Sequence, residues 1–105
     1  MIIEMRTYKT KPGQRDAFLA VFTAKSMPAH REIGMKIMGP FRSLEDADTF
    51  FFMRAFPDLE SRQPMRDRFY GSPLWKGELE RTLLPMLEKY DVVLVEADED
   101  LGGWH

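Results

Sequence analysis

The stretch DTFFFMRAFPD, residues 48–58, decides the fold. It reads as a β-strand, yet it lacks the apolar–polar alternation of a strand with one wet face. Phe50, Phe52, Arg54 and Phe56 point one way, and Phe51, Met53 and Ala55 the other. Both faces call for cover, and one of them carries an arginine.

Upstream, Ile2 to Lys9 alternates cleanly, with Ile3, Met5 and Thr7 on one face and Ile2, Glu4, Arg6 and Tyr8 on the other. After the Lys11-Pro12-Gly13 turn the period changes. Ala17, Val21 and Ala24 follow i, i+4, i+7 with Phe18 and Phe22 beside them, which predicts an amphipathic helix to about Ile33. Pro28 is expected to kink or stop it early, and Gly34 to end it. Met35 to Phe41 is a second strand, and Gly39-Pro40 marks an edge or a bulge.

Downstream, Asp58 caps a helix with Leu59, Met65 and Phe69 inward and a bend at Pro64. Gly71 suits a left-handed stop, Ser72 an N-cap and Pro73 a first helical position. The next helix turns Leu74, Trp75, Leu79 and Leu83 inward, and Val92 to Ala97 is a fourth strand, apolar on both faces. Residues 98–105 form an acidic tail in which Trp104 either frays or docks on a partner or the pocket; His105 is expected to be mobile. The order β-α-β-β-α-β predicts a single α+β domain over residues 1–105. It is the ferredoxin-like pattern, a four-stranded antiparallel sheet with helices on one side.

That pattern leaves one sheet face bare. Phe50, Phe52 and Phe56 with half of the fourth strand are assigned to it, a patch larger than soluble monomers usually show. A second copy is the simplest cover, so a two-fold homodimer of facing sheets is expected.

Composition excludes much. With 105 residues, 44% of them hydrophobic and 30% charged, the chain has material for one core. There is no cysteine, so no disulfide framework and no thiolate chemistry. The start carries a charge at its fourth residue and no long apolar region, and no run approaches the roughly 18 residues of a membrane span. The expectation is a cytoplasmic protein. Net charge is −2, split as +5 over residues 1–44 and −7 over residues 45–105, an asymmetry that would help two copies orient. No basic stripe with aromatics points to nucleic acid. Two histidines without ligand spacing predict no metal, and no phosphate loop or dinucleotide fingerprint predicts a cofactor.

Several motifs together resemble the NIPSNAP family of the dimeric α/β-barrel superfamily. IIEMRTYKTKPG, residues 2–13, is similar to that family's start. HREIGMKIMGPF, residues 30–41, resembles its His…Gly…Gly motif at His30, Gly34 and Gly39. FFMRAFPDLESR, residues 51–62, resembles its aromatic strand and Asp-Leu-x-x-Arg helix start, and SPLW, residues 72–75, its Pro-x-Trp turn. The resemblance implies a dimeric barrel. It implies no fixed reaction, since the superfamily holds cofactor-independent monooxygenases, haem-degrading enzymes, isomerases and proteins that only bind. Members often carry His and Trp on the pocket face of the third strand; Phe52 and Arg54 stand there instead, so chemistry resting on that pair does not carry over.

Glu4, Arg6 and Tyr8 form a polar row at about 7 Å intervals. Beside Phe52, Arg54 and Phe56 they make a ligand-binding set, a few polar groups in an aromatic pocket. The plainer reading is a Glu4–Arg6 ion pair with Tyr8 at a rim. Arg54 must pair, with Glu4 the nearest plausible carboxylate, or snorkel to the rim. Glu4, Tyr8 and His30 are the candidate proton carriers, although a histidine near a helix C-terminus is also favourable through the dipole alone. The leading expectation is a homodimer binding a small apolar or anionic ligand. The alternative is a cofactor-independent monooxygenase or isomerase acting on an aromatic or quinone-like substrate.

Overall fold

The computed structural model describes residues 1–98 and 102–104. Glu99, Asp100, Leu101 and His105 lie outside them, and with them the expectation for His105 and part of the acidic tail. Strands β1 (Ile2–Thr10), β2 (Lys36–Arg42), β3 (Thr49–Phe56) and β4 (Leu87–Glu96) form one antiparallel sheet in the order β2-β3-β1-β4. The helical stretches between β1 and β2 and between β3 and β4 make this the expected ferredoxin-like α+β architecture.

Register sorts the faces. Ile2, Glu4, Arg6 and Tyr8 of β1 oppose Phe56, Arg54, Phe52 and Phe50 of β3, so all eight share one face. That face meets the helices. Phe50, Phe52 and Phe56 are buried in the main core with Phe18, Phe22 and Phe69. The assignment of Phe50, Phe52 and Phe56 to the bare face is therefore overturned. Alternation alone does not say which face of β3 meets the helices; helical phenylalanines reach across to these three, Phe22 lying 4.7 Å from Phe52 between ring centres. The open face carries Met5, Thr7, Phe51 and Met53, with Val93 57% exposed on edge strand β4.

The first helical stretch runs without a break through α1 (Arg15–Val21), a π-helical turn (Phe22–Ser26) and α2 (Met27–Ile33). Its inward residues include Phe18, Phe22, Ser26 and His30, whereas Ala17 and Ala24 face solvent, contrary to the i, i+4, i+7 reading. Four-residue spacing drifts around an ordinary helix, where three turns take about 10.8 residues. The π turn absorbs the excess and returns His30 to the face of Phe18. It also gives room to Pro28, which neither stops nor ends the helix. Gly34 ends it at φ 105°, a conformation that favours glycine.

Helix α3 (Leu59–Tyr70) starts at Asp58, whose carboxylate accepts from Ser61 N–H at 2.7 Å. Met65 and Phe69 are buried, but Leu59, in the first turn, is exposed. Gly71 is not left-handed, with φ −87°; its lack of a side chain matters because a Cβ there would lie 2.7 Å from the Asp67 carbonyl. The last helical stretch passes from a π turn (Trp75–Leu79) through α4 (Glu80–Leu83) to a 3₁₀ turn (Leu84–Met86), burying Leu79 and Leu83. Strand β2 is an edge strand, and its register with β3 shifts between Met38 and Phe41, around Gly39-Pro40. Gly103 returns against Met38, with a Cβ position 3.3 Å from that side chain, so this part of the tail packs rather than frays.

Phe52 in this core predicts that Phe52→Ala lowers unfolding free energy by about 3–5 kcal/mol. Chemical denaturation measures it, and a loss under about 1 kcal/mol would place the ring outside the core.

Candidate functional site

Alternation along β1 puts Glu4, Arg6 and Tyr8 under the helices, and antiparallel pairing sets Arg54 directly opposite Glu4. The carboxylate is fully buried. Its Oε1 accepts from Arg6 Nε at 2.7 Å and Arg54 Nε at 2.6 Å, and its Oε2 accepts from Arg62 Nε at 2.8 Å. Arg66 Nε stands 3.9 Å from the same Oε2, outside hydrogen-bond range. Four arginines thus surround one carboxylate. Burial alone would raise the Glu4 carboxyl, but the charges and hydrogen bonds of Arg54 and Arg6 hold it down at about 2.

Arg54 is 1% exposed and has a second anchor. Its Nη1 donates to His30 Nε2 at 3.0 Å, while His30 Nδ1 donates to the Ser26 carbonyl at 2.7 Å. The carbonyl fixes the tautomer, because only a protonated Nδ1 can donate to it. Burial and then the Arg54 charge push the imidazole down to about 3. His30 is therefore a buried neutral acceptor, its ring centre 4.1 Å from that of Phe69; it stands in the last turn of α2 but not at the surface. Arg6 Nη1 donates to the Tyr8 hydroxyl at 2.6 Å, leaving the phenol its own hydrogen to give. Burial, opposed by Arg6, raises that phenol.

Beneath these groups lies a cavity of about 330 Å³. Arg6, Tyr8, Ser26, His30, Arg54 and Arg66 line its polar side, and Phe18, Phe22, Phe52, Trp75 and Leu83 its apolar side. Leu84, Leu87 and Tyr90 stand on its wall from the β4 end. Of the residues singled out from sequence, Arg6, Tyr8, His30, Phe52 and Arg54 reach the cavity. Glu4 stands behind its arginines and Phe56 belongs to the core, so neither lines the wall. Arg62, Arg66 and Tyr70 were missed, although their i, i+4, i+8 spacing places them on one face of α3. Tyr70 lies under two guanidiniums, Arg54 at 5.5 Å and Arg66 at 5.7 Å from its ring centre.

The donor set suits an anion rather than a metal; no group of acidic, histidine or cysteine side chains able to hold a metal occurs among the described residues. Arg54 Nη2 and Arg66 Nε are buried with no hydrogen-bond partner.

The buried imidazole has a consequence in acid. Unfolded, it takes a proton near pH 6.5; folded, only near pH 3. Its contribution to stability is complete above pH 6.5 and is lost as pH falls toward 3. Glu4 adds a loss in the same direction, beginning only below about pH 4.5 and running toward 2. Between pH 7 and 5 the His30 contribution falls by about 2 kcal/mol. Denaturation midpoints over that range should drop in the wild type and stay nearly level in His30→Gln. Equal slopes would show that His30 titrates normally.

The NIPSNAP family profile matches residues 3–92. A search of curated proteins finds no match. Among solved structures, an uncharacterized NIPSNAP domain protein from Burkholderia xenovorans is similar at 23% identity and TM-score 0.81, over 92% of this chain and 94% of that one. A NIPSNAP family protein of unknown function from Agrobacterium tumefaciens gives 25% identity and TM-score 0.79, over 90% and 86%. The fold also extends to an antibiotic biosynthesis monooxygenase, 18% identical with TM-score 0.71, over 94% of this chain and all of that one. With the profile covering most of the domain and the relatives sharing its fold, the chain belongs to the NIPSNAP family.

Proposed function

We propose that the protein binds a small, largely apolar molecule carrying an anionic oxygen, in the cavity between sheet and helices. One observation carries the reading: Arg54, a side chain 1% exposed that lines the cavity, keeps a buried nitrogen, Nη2, that meets no acceptor. A buried donor left unmet is costly, and a charge-assisted bond to it is worth about 1.5–3 kcal/mol. The aromatic wall supplies the rest of the affinity.

The other reading is cofactor-independent oxygenation or isomerisation of an aromatic or quinone-like substrate, and it needs a group to move a proton. Glu4 is held ionised by three hydrogen bonds, and the His30 lone pair is taken by Arg54. Tyr8 alone keeps a proton to give, so the geometry favours binding over proton abstraction. The likeness to a monooxygenase is one of fold.

Thermal-shift measurements with aromatic and fatty acids test the anion site. Acids should stabilise the wild type more than their neutral amides, and Arg54→Met should keep the fold and erase the difference. Equal shifts by acids and amides would sink the reading.

The same proposal includes a homodimer in a cytoplasmic setting, consistent with a cysteine-free chain. The open face supports the dimer: Phe51 and Met53 are only half-buried there, and Val93 more than half exposed. Sedimentation equilibrium at low micromolar concentration should give twice the chain mass, and Met53→Asp should return the monomer. A soluble wild-type monomer would remove the second copy from that face.

A further inference from the structure

Two guanidiniums reach the cavity from different elements, Arg54 from β3 and Arg66 from α3. Each keeps one buried nitrogen that no acceptor meets, Nη2 of Arg54 and Nε of Arg66. They are tied to the same spacer, lying 5.5 and 5.7 Å from the centre of the Tyr70 ring. Glu4 does not satisfy them. Its oxygens already accept from Arg6, Arg54 Nε and Arg62, and Arg66 is left at 3.9 Å. Two unmet donors on two cations match the two oxygens of one carboxylate.

The rest of the cavity limits what that carboxylate is attached to. Its volume is about 330 Å³. An apolar protein cavity of about 150 Å³ accepts one benzene, so two fused rings fit here. Phe18, Phe22 and Phe52 offer ring faces and edges on the wall, which favour a flat partner over a flexible chain. The guanidiniums of Arg54 and Arg66 on the wall favour the charged form, so the acid binds ionised.

Resting on the anion-site reading, we infer that Arg54 and Arg66 together seat the carboxylate of a two-ring aryl acid, and that Arg66 sets the specificity for it.

Titration calorimetry with 2-naphthoate, 2-naphthamide, benzoate and decanoate tests this on the wild type, Arg66→Gln and Arg66→Lys. Arg66 is partly exposed and outside hydrogen-bond range of Glu4, so both variants should fold, which circular dichroism checks. The wild type should bind 2-naphthoate at least about tenfold more tightly than the amide, benzoate or decanoate. Arg66→Gln should lose about tenfold for naphthoate and leave the amide unchanged, and Arg66→Lys should fall between. Naphthoate binding equally to wild type and Arg66→Gln overturns the role of Arg66 while the Arg54 site stands. If only Arg66→Lys folds, its equality with wild type overturns that role in the same way. Decanoate or benzoate matching naphthoate overturns the two-ring assignment. Naphthoate no tighter than its amide in the wild type removes the anion site itself.

Discussion

The Glu4 carboxylate is the charge on which the helix-side face of the sheet depends. Arg6 and Arg54 are almost wholly buried, and a buried guanidinium without a counter-charge is strongly destabilising. One carboxylate offers about four acceptor positions. Three are filled by Arg6, Arg54 and Arg62, drawn from β1, β3 and α3. A single side chain therefore ties the two central strands to a helix. It also fixes register. A slip of one residue between β1 and β3 would turn Arg54 away from Glu4 and move the phenylalanine row to the open face.

The network then determines what the neighbouring polar groups can do. His30 has a near-neutral pKa in water, yet here it is an acceptor for Arg54, with its other nitrogen committed to the Ser26 carbonyl. That second contact depends on the backbone. The π turn at Phe22–Ser26 brings His30 round onto the face of Phe18 and Phe22, under Arg54 and beside Phe69. A regular helix of the same sequence would rotate it away. Imidazole here is an acceptor that positions a cation.

Much of the fold was legible because period and punctuation agreed. The alternation of Glu4, Arg6 and Tyr8, the Asp58 cap and the Gly39-Pro40 bulge each follow from local chemistry, and the strands appear in the expected order. The facing of Phe50, Phe52 and Phe56 was not legible from β3 alone, since both its faces are apolar and only pairing and helix packing choose between them. The 18-22-26-30 spacing held the clue to the π turn, but Ala17, Val21 and Ala24 gave a competing stripe at ordinary helical period. Arg62, Arg66 and Tyr70 showed helical spacing, yet nothing local says that a cationic row on α3 points inward. That depends on Glu4, more than fifty residues earlier in the chain.

A single carboxylate among four arginines would be a poor solution if stability were the only demand. A second acid on α3 or β4 would neutralise Arg66 and satisfy its Nε. Instead Arg66 stops short of Glu4, and Arg54 Nη2 is buried without an acceptor. Unmet buried donors cost free energy in the empty protein, of order 1–3 kcal/mol each. On the proposed reading, an anion entering the cavity would recover that cost, and the cluster would bind it more strongly for being incomplete without it. Glu4 makes this workable. It offsets part of the charge, holds the guanidiniums of Arg6, Arg54 and Arg62 in place, and leaves one nitrogen each of Arg54 and Arg66 without an acceptor. On the proposed reading, the entropy of ordering Arg54 would then be met during folding and not during binding.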